Sequence, residues 1–244
     1  MPTDLLFRND AYLAETEARV IGLTPEGGLL VDRSVFYPTS GGQPGDSGWI
    51  SWTGADGGQC KVMIAVAVKA EGDRVALVPA ELVALPGPGT VVRQRIDWPR
   101  RHLHMRMHTA LHLLSVVIPL PVTGGQIGMG TGRLDFDMPE PPGDLAVLET
   151  ALNRLIEGDW PVSTQWITEA ELADNPGLVK TMSVRPPTGS GRVRLIRIGD
   201  GTRQVDLQPC GGTHVGRTGE IGAVHVGKLE KKGRQNRRVT LLLG

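Results

Sequence analysis

Aromatic residues are scarce in this sequence of 244 residues: Phe, Trp and Tyr together make up 4%, so aliphatic side chains must supply most of the core. Cysteine is nearly absent. Cys60 and Cys210 are too few for a disulfide framework, and they read as thiols of a cytoplasmic protein. No stretch approaches the roughly 18 consecutive apolar residues of a membrane-spanning helix. Net charge is missing as well. The 26 basic residues balance 26 acidic ones, so a nucleic-acid partner would have to be met by a local patch rather than a global field. The first residues, MPTDLLFRNDAY, carry acidic groups early and do not fit a signal peptide.

What is abundant is glycine and proline, 33 and 18 residues, beside a hydrophobic fraction of 40%. That combination predicts many turns and much β structure around a real core. Segments 18–23, 28–36, 47–52, 61–69 and 74–78 are short, rich in Val, Ile and Leu, and separated by Gly, Asp or Pro. They predict a small β-barrel or sandwich over residues 1–90. Pro86-Gly87-Pro88-Gly89 then marks an expected boundary, with Val91–Asp97 as a strand entering a second domain over 91–244. Within it, 105–118 is the clearest helix: Leu111, Leu114, Val117 and Ile118 form an apolar stripe, and Pro119 and Pro121 stop it. Residues 142–156 predict a second helix with Asp144 as N-cap, and 169–175 a short helix at best. Strands are expected at 133–137, 162–167, 192–198, 204–207, 221–228 and 237–243. The predicted fold class is α+β, a small N-terminal β-barrel followed by an α+β domain.

His108 and His112 stand four apart, so on a helix both imidazoles face one way. Cys210 and His214 flank Gly211-Gly212-Thr213, where glycines allow a tight turn. Either pair alone also has a reading as ordinary structure. Together they form a His3Cys set suited to zinc, poor in the oxygen ligands that calcium and magnesium require. Four protein ligands fill a tetrahedral shell, the usual mark of a structural site, unless one ligand is displaced or the ion expands to five-coordinate. Position 109 is Thr, so the glutamate base of a zinc protease helix is absent. His102 or His104 can replace a ligand in this assignment, while His225 and Cys60 read as structural. Two basic clusters, 93–106 and 228–238, are either solvated faces or phosphate-contacting surfaces.

Several longer motifs carry a family resemblance. They are Phe36-Tyr37-Pro38-Thr39-Ser40-Gly41-Gly42-Gln43-Pro44-Gly45-Asp46-Ser47-Gly48, His108-Thr109-Ala110-Leu111-His112, Arg133-Leu134-Asp135-Phe136, Asp206-Leu207-Gln208-Pro209-Cys210-Gly211-Gly212-Thr213-His214 and Thr218-Gly219-Glu220-Ile221-Gly222. Lys232-Gly233 with Asn236-Arg237-Arg238 completes the set. In these the sequence resembles the free-standing alanyl-tRNA editing proteins of medium length, relatives of the editing domains of alanyl- and threonyl-tRNA synthetases. The resemblance implies a zinc-dependent hydrolase that cleaves the aminoacyl ester of tRNA(Ala) mischarged with serine or glycine, acting in trans. It implies metal ligation by His108, His112, Cys210 and His214, and a Gly41-Gly42-Gln43 loop that reaches the editing cleft.

Gln43 and Gln126 are the expected water-positioning or oxyanion groups, since an amide cannot act as a base; both also read as ordinary surface glutamines. Thr39 and Thr123 are expected near a serine hydroxyl, with Gly41, Gly42 and Thr213 also lining the substrate. Asp46 fits an Asx-turn, and Asp135 and Asp137 either orient a histidine or pair with Arg133. Lys228, Lys231, Lys232, Arg234, Arg237 and Arg238 form the preferred RNA surface. No membrane partner is expected, and the chain reads as a monomer or weak dimer. Two other readings stay open: a non-enzymatic RNA-binding module with structural zinc, and a related deacylase with another aminoacyl-tRNA substrate.

Overall fold

The structure, a computed structural model, describes residues 2–182 and 191–244. The chain forms two compact units, Met1–His102 and Leu103–Gly244.

The first unit contains β1 (Asp4–Leu5), β2 (Glu15–Leu23), β3 (Leu29–Val31), β4 (Arg33–Ser34), β5 (Gly48–Thr53), β6 (Gln59–Ala70), β7 (Arg74–Pro79) and β8 (Val91–Ile96). Six of these close a barrel in the order β2-β3-β7-β6-β5-β8, and β1 pairs with β4. Strand β8 shows why: Val92, Gln94 and Ile96 are buried while Val91, Arg93 and Arg95 face out, the period-two pattern of a strand with one wet face. The sequence reading gives Val91–Asp97 to the second domain, but β8 lies between β2 and β5 and closes the barrel. The Pro/Gly-rich stretch before it is a loop between two barrel strands, because linker-like composition marks a turn as readily as a boundary. Gln94 points inward and is satisfied there, accepting from Ser34 Oγ (3.0 Å) and donating to the Arg33 carbonyl (2.7 Å).

The glycine motif between β4 and β5 is also barrel architecture. Ser40 and Gln43 exchange both backbone hydrogen bonds across Gly41 and Gly42. Those two have φ of +56° and +81°, as a two-residue turn with both central residues left-handed requires. A Cβ on Gly45 would stand 2.0 Å from the Ala67 carbonyl oxygen, and one on Gly48 2.2 Å from that of Arg95. Asp46 is not a local Asx-turn: its Oδ2 accepts from the Tyr37 N–H (2.6 Å), and its carboxylate pairs with the fully buried Arg101. Arg101 also donates to the carbonyls of Ala11 (2.9 Å) and Val35 (2.6 Å).

The helix α1 (Trp98–Val117) begins well before residue 105. Asp97 caps it, accepting from the Arg100 N–H at 3.2 Å, and Pro99 fits its first turn. From Leu103 on, α1 belongs to the second unit, with β9 (Val122–Ile127), β10 (Thr131–Asp137), α2 (Leu145–Glu157), β11 (Val162–Thr168), α3 (Glu169–Asp174), β12 (Arg192–Gly199), β13 (Gln204–Pro209), β14 (Val224–Lys231) and β15 (Asn236–Leu243). One sheet has the order β14-β15-β10-β9, the other β11-β12-β13. Asp144 caps α2 as expected, accepting from the Ala146 N–H at 2.8 Å. The four-stranded sheet packs on α1 where Gly132 leaves room, since a Cβ there would come within 2.6 Å of Met107. No helix among the described residues is long and apolar enough to cross a membrane.

Candidate metal centre

Helix α1 and the loop after β13 build the site. His108 and His112 lie one turn apart on α1, with ring centroids 5.3 Å apart. The loop brings Cys210 Sγ to 3.4 Å from His108 Nε2 and 3.3 Å from His214 Nε2. One ligand atom from each of His108, His112, Cys210 and His214 lies within 4.8 Å of the others. The predicted pairs therefore meet, and neither His102 nor His104 belongs to the cluster. His102 stacks on Trp98 at 5.6 Å. His225 lies exposed in β14, with Nδ1 3.2 Å from Glu149.

Neighbours select the nitrogen that two of the three histidines offer. His112 Nδ1 is 2.9 Å from Asp206 Oδ2, and a carboxylate can only accept, so Nδ1 keeps its proton and Nε2 is the nitrogen that would give up its proton to ligate an ion. Thr109 Oγ1 donates to the Met105 carbonyl (2.9 Å), which uses its one proton. Toward His214 Nδ1, at 3.2 Å, it therefore accepts, and His214 too presents Nε2 as a donor atom.

Asp206 is the centre of this support. Its side chain is fully buried, with Lys180 Nζ at 2.6 Å and the Gln208 amide donating at 2.7 Å. Lys180 is itself fixed by backbone bonds that tie residues 180 and 182 to Val122. On the loop side, Arg194 NH1 donates to the carbonyls of Cys210 and Gly212, each at 2.9 Å, and sets the loop's shape. The glycines are not there for left-handed backbone: neither Gly211 nor Gly212 has positive φ. A Cβ on Gly211 would meet open space, and Cys210 is the one ligand that is only half-buried, so the cluster opens toward Cys210 and Gly211.

The clustered groups shift one another's proton affinities. Burial pushes the Cys210 thiol up, but the charges of His108 and His214 outweigh it and hold the group well below the usual thiol range. Burial also opposes protonation of His112, yet the Asp206 and Cys210 contacts raise it to about 9. Asp206, which burial alone would raise, is held at about 2 by His112 and Lys180. His214 lies well below the imidazole range, through burial and then the charge of His108.

Each of the other expected residues has its own local setting. Gln43 is fully buried, Gly41 and Gly42 form the exposed tip of their turn, and the Thr39 hydroxyl accepts from the Gly45 N–H at 2.9 Å. Gln126 lies on the sheet face opposite the buried Ile127 and accepts from the Arg133 guanidinium at 3.1 Å. Thr123 Oγ1 sits at a bulge, 2.9 Å from Asn236 Oδ1, and Thr213 is fully buried between ligands. Asp135 pairs with Arg133 (2.6 Å) and Arg238 (2.8 Å) and orients no ligand. In the 228–238 hairpin, Lys228, Lys231, Lys232 and Arg234 are exposed, while Arg238 is tied to Asp135 and Arg237 donates to the Pro139 carbonyl at 2.6 Å. Sequence reasoning missed Asp206, Thr109, Lys180 and Arg194. A signal existed for the first: on strand β13 Asp206 and Gln208 share one face, and Cys210 follows at the same spacing.

Comparison with known proteins supplies the chain's relatives. Residues 193–240 match the family model described as the threonyl and alanyl tRNA synthetase second additional domain. The chain is 34% identical over 249 residues to the alanyl-tRNA editing protein AlaX-M of Methanosarcina acetivorans, covering 99% of both chains. It is 35% identical to the protein of that name in Methanosarcina barkeri, again over 99% of each. An alanine–tRNA ligase of Korarchaeum cryptofilum is 35% identical over 240 residues, 94% of this chain but 25% of the ligase.

Proposed function

The chain belongs to the alanyl-tRNA editing protein family, and on that footing we propose that it hydrolyses the aminoacyl ester of tRNA(Ala) mischarged with serine, and with glycine as a second substrate, in trans in the cytoplasm. The convergence of four ligand atoms within 4.8 Å carries this reading. We assign the ion as zinc. With bonds of about 2.0 Å to nitrogen and 2.3 Å to sulfur, tetrahedral ligands stand roughly 3.3–3.6 Å apart. The sulfur-to-nitrogen distances of 3.4 and 3.3 Å fit that shell.

A bound zinc supplies Lewis acidity toward an ester carbonyl or a water molecule. The protein's part is preorganisation. Asp206 and Thr109 hold two imidazoles in the ligating tautomer, and Arg194 fixes the loop that carries the thiolate. The side at Cys210 and Gly211, where backbone replaces side chain, is the approach for the small aminoacyl group. An aminoacyl ester is already activated, so positioning and charge stabilisation suffice. The biological need follows from small size differences: a site built for alanine rejects a slightly larger or smaller amino acid weakly, and a second hydrolytic sieve restores accuracy.

A deacylation panel tests this. The protein is offered Ser-, Gly- and Ala-tRNA(Ala) and Ser-tRNA(Ser), with and without a chelator. The first two should be hydrolysed and the last two spared, and both chelation and Cys210→Ala should remove metal and activity together. Failure of the metal-loaded protein to cleave any of the four esters would overturn the reading, leaving an RNA-binding module with structural zinc.

A further inference from the structure

We propose that the outer wall of the barrel, across β6, β5 and β8, is a second RNA-contacting surface that takes a single-stranded stretch of the RNA, with phosphates at Lys61 and Arg95 and a base against Trp49. The proposal rests on the reading above only for RNA being the partner.

Register puts these side chains together. Lys61 pairs with Ser51, which pairs with Arg93, and Trp49 pairs with Arg95 in the next row. Partners directly opposite in antiparallel strands share a face, and Ile50, Val92 and Ile96 between them are buried, so this face is the outer one. A groove of about 880 Å³ runs along it, bounded by Trp49, Trp98, Lys61, Arg93 and Arg95. Lys61 Nζ sits 5.1 Å from the Trp49 ring centroid, so a cation and a flat π surface are offered at one point.

Charge complementarity selects the occupant. The groove holds two acids, and both are engaged: Glu15 pairs with Arg93 at 2.7 Å, and Asp97 caps α1. Lys61 and Arg95 have no acidic partner among the described residues. Cations able to meet phosphates, beside an indole that can stack on a base once Lys61 turns from its ring to a phosphate, are what a single strand uses, because its bases are not hidden in a helix. The basic run at 93–106 thus divides by structure. Arg101 is buried against Asp46, Arg100 donates to the Gly45 carbonyl (2.7 Å), Arg106 donates to that of Ile221 (2.8 Å), and Arg93 and Arg95 remain on the surface.

The test titrates a short unstructured oligoribonucleotide and uncharged tRNA into the full-length, metal-loaded protein at several salt concentrations. Wild type is compared with Lys61→Ala/Arg95→Ala and with Trp49→Leu, after melting temperature and metal content confirm that each variant is folded. The double variant should lower the slope of log K against log salt by about 1.4. Trp49→Leu should weaken oligonucleotide binding about tenfold at unchanged slope. Unchanged affinity and slope in the folded variants would overturn the proposal. Equal displacement of the oligonucleotide by a polyglutamate peptide would do so too, by reducing the face to a generic anion patch. Deacylation measured on the same preparations separates the two claims: ester hydrolysis can fail while barrel-dependent RNA binding persists, and the reverse.

Discussion

Asp206 decides which nitrogen His112 presents, and Lys180 keeps the carboxylate charged while it does so. Asp206→Asn keeps the shape but can present its amide NH2 to Nδ1, which favours the wrong tautomer. Metal affinity should fall about 10- to 100-fold, read by competition with a chromophoric chelator. The pH profile of protein stripped of metal follows from the same pair. His112 is raised to about 9 from 6.5, so its contribution to stability is complete below pH 6.5 and is lost as pH rises through about 9. Asp206 is lowered from 3.8 to about 2, so its contribution is complete above 3.8 and is lost as pH falls toward 2. The difference in melting temperature between metal-free wild type and Asp206→Asn should therefore be widest between about pH 4 and 6.5. A flat difference from pH 3 to 9 would contradict the assignment. The four ligands were legible in the sequence because helix periodicity and a glycine-flanked Cys/His pair need no tertiary knowledge. Their supports were not, because Lys180 and Arg194 gain meaning only when strands distant in sequence meet.

At the scale of elements, the motif from Phe36 to Gly48 is a barrel closure as well as a family mark. Its glycines have unequal work. Gly41→Ala places a side chain at φ +56° in open space and should cost about 1 kcal/mol. Gly45→Ala drives a Cβ into the Ala67 carbonyl and should cost several-fold more, about 3 kcal/mol or above, in urea unfolding. Arg101→Met strands the buried Asp46 carboxylate and should destabilise the first unit by about 3–5 kcal/mol in the same assay. Equal unfolding midpoints for Gly41→Ala and Gly45→Ala would refute the distinction. Most barrel strands were legible from short Val, Ile and Leu runs broken by Gly, Asp or Pro, and α2 from its cap. The start of α1 was hidden by the polar stretch Arg100–Arg106, whose apolar stripe is weak although the Asp97-Trp98-Pro99 start signal is present. For Asp135 one of the two readings, pairing with Arg133, holds; strand alternation alone did not decide between them, because it does not tell which face lies toward α1.

Over the whole molecule, zero net charge leaves RNA recognition to separate patches. The tip of the β14–β15 hairpin is the one expected from sequence. Lys231→Ala/Lys232→Ala should weaken tRNA binding and reduce its salt slope by about 1.5 with metal content unchanged. Filter binding at three salt concentrations decides it, and an unaltered slope removes the hairpin from the RNA surface. Arg237 and Arg238 contribute less there than their numbers suggest, because each is already committed to the sheet. The ligands also impose an order in time. His108 and Cys210 are 102 residues apart, and a ribosome adding 5–20 residues per second makes the first roughly 5–20 s before the second. Through that interval the nascent helix can offer an ion only two imidazoles, a weak and exchangeable grip. On the zinc assignment proposed above, secure capture would wait for the later loop, so metal uptake during synthesis is expected only once Cys210 and His214 have emerged.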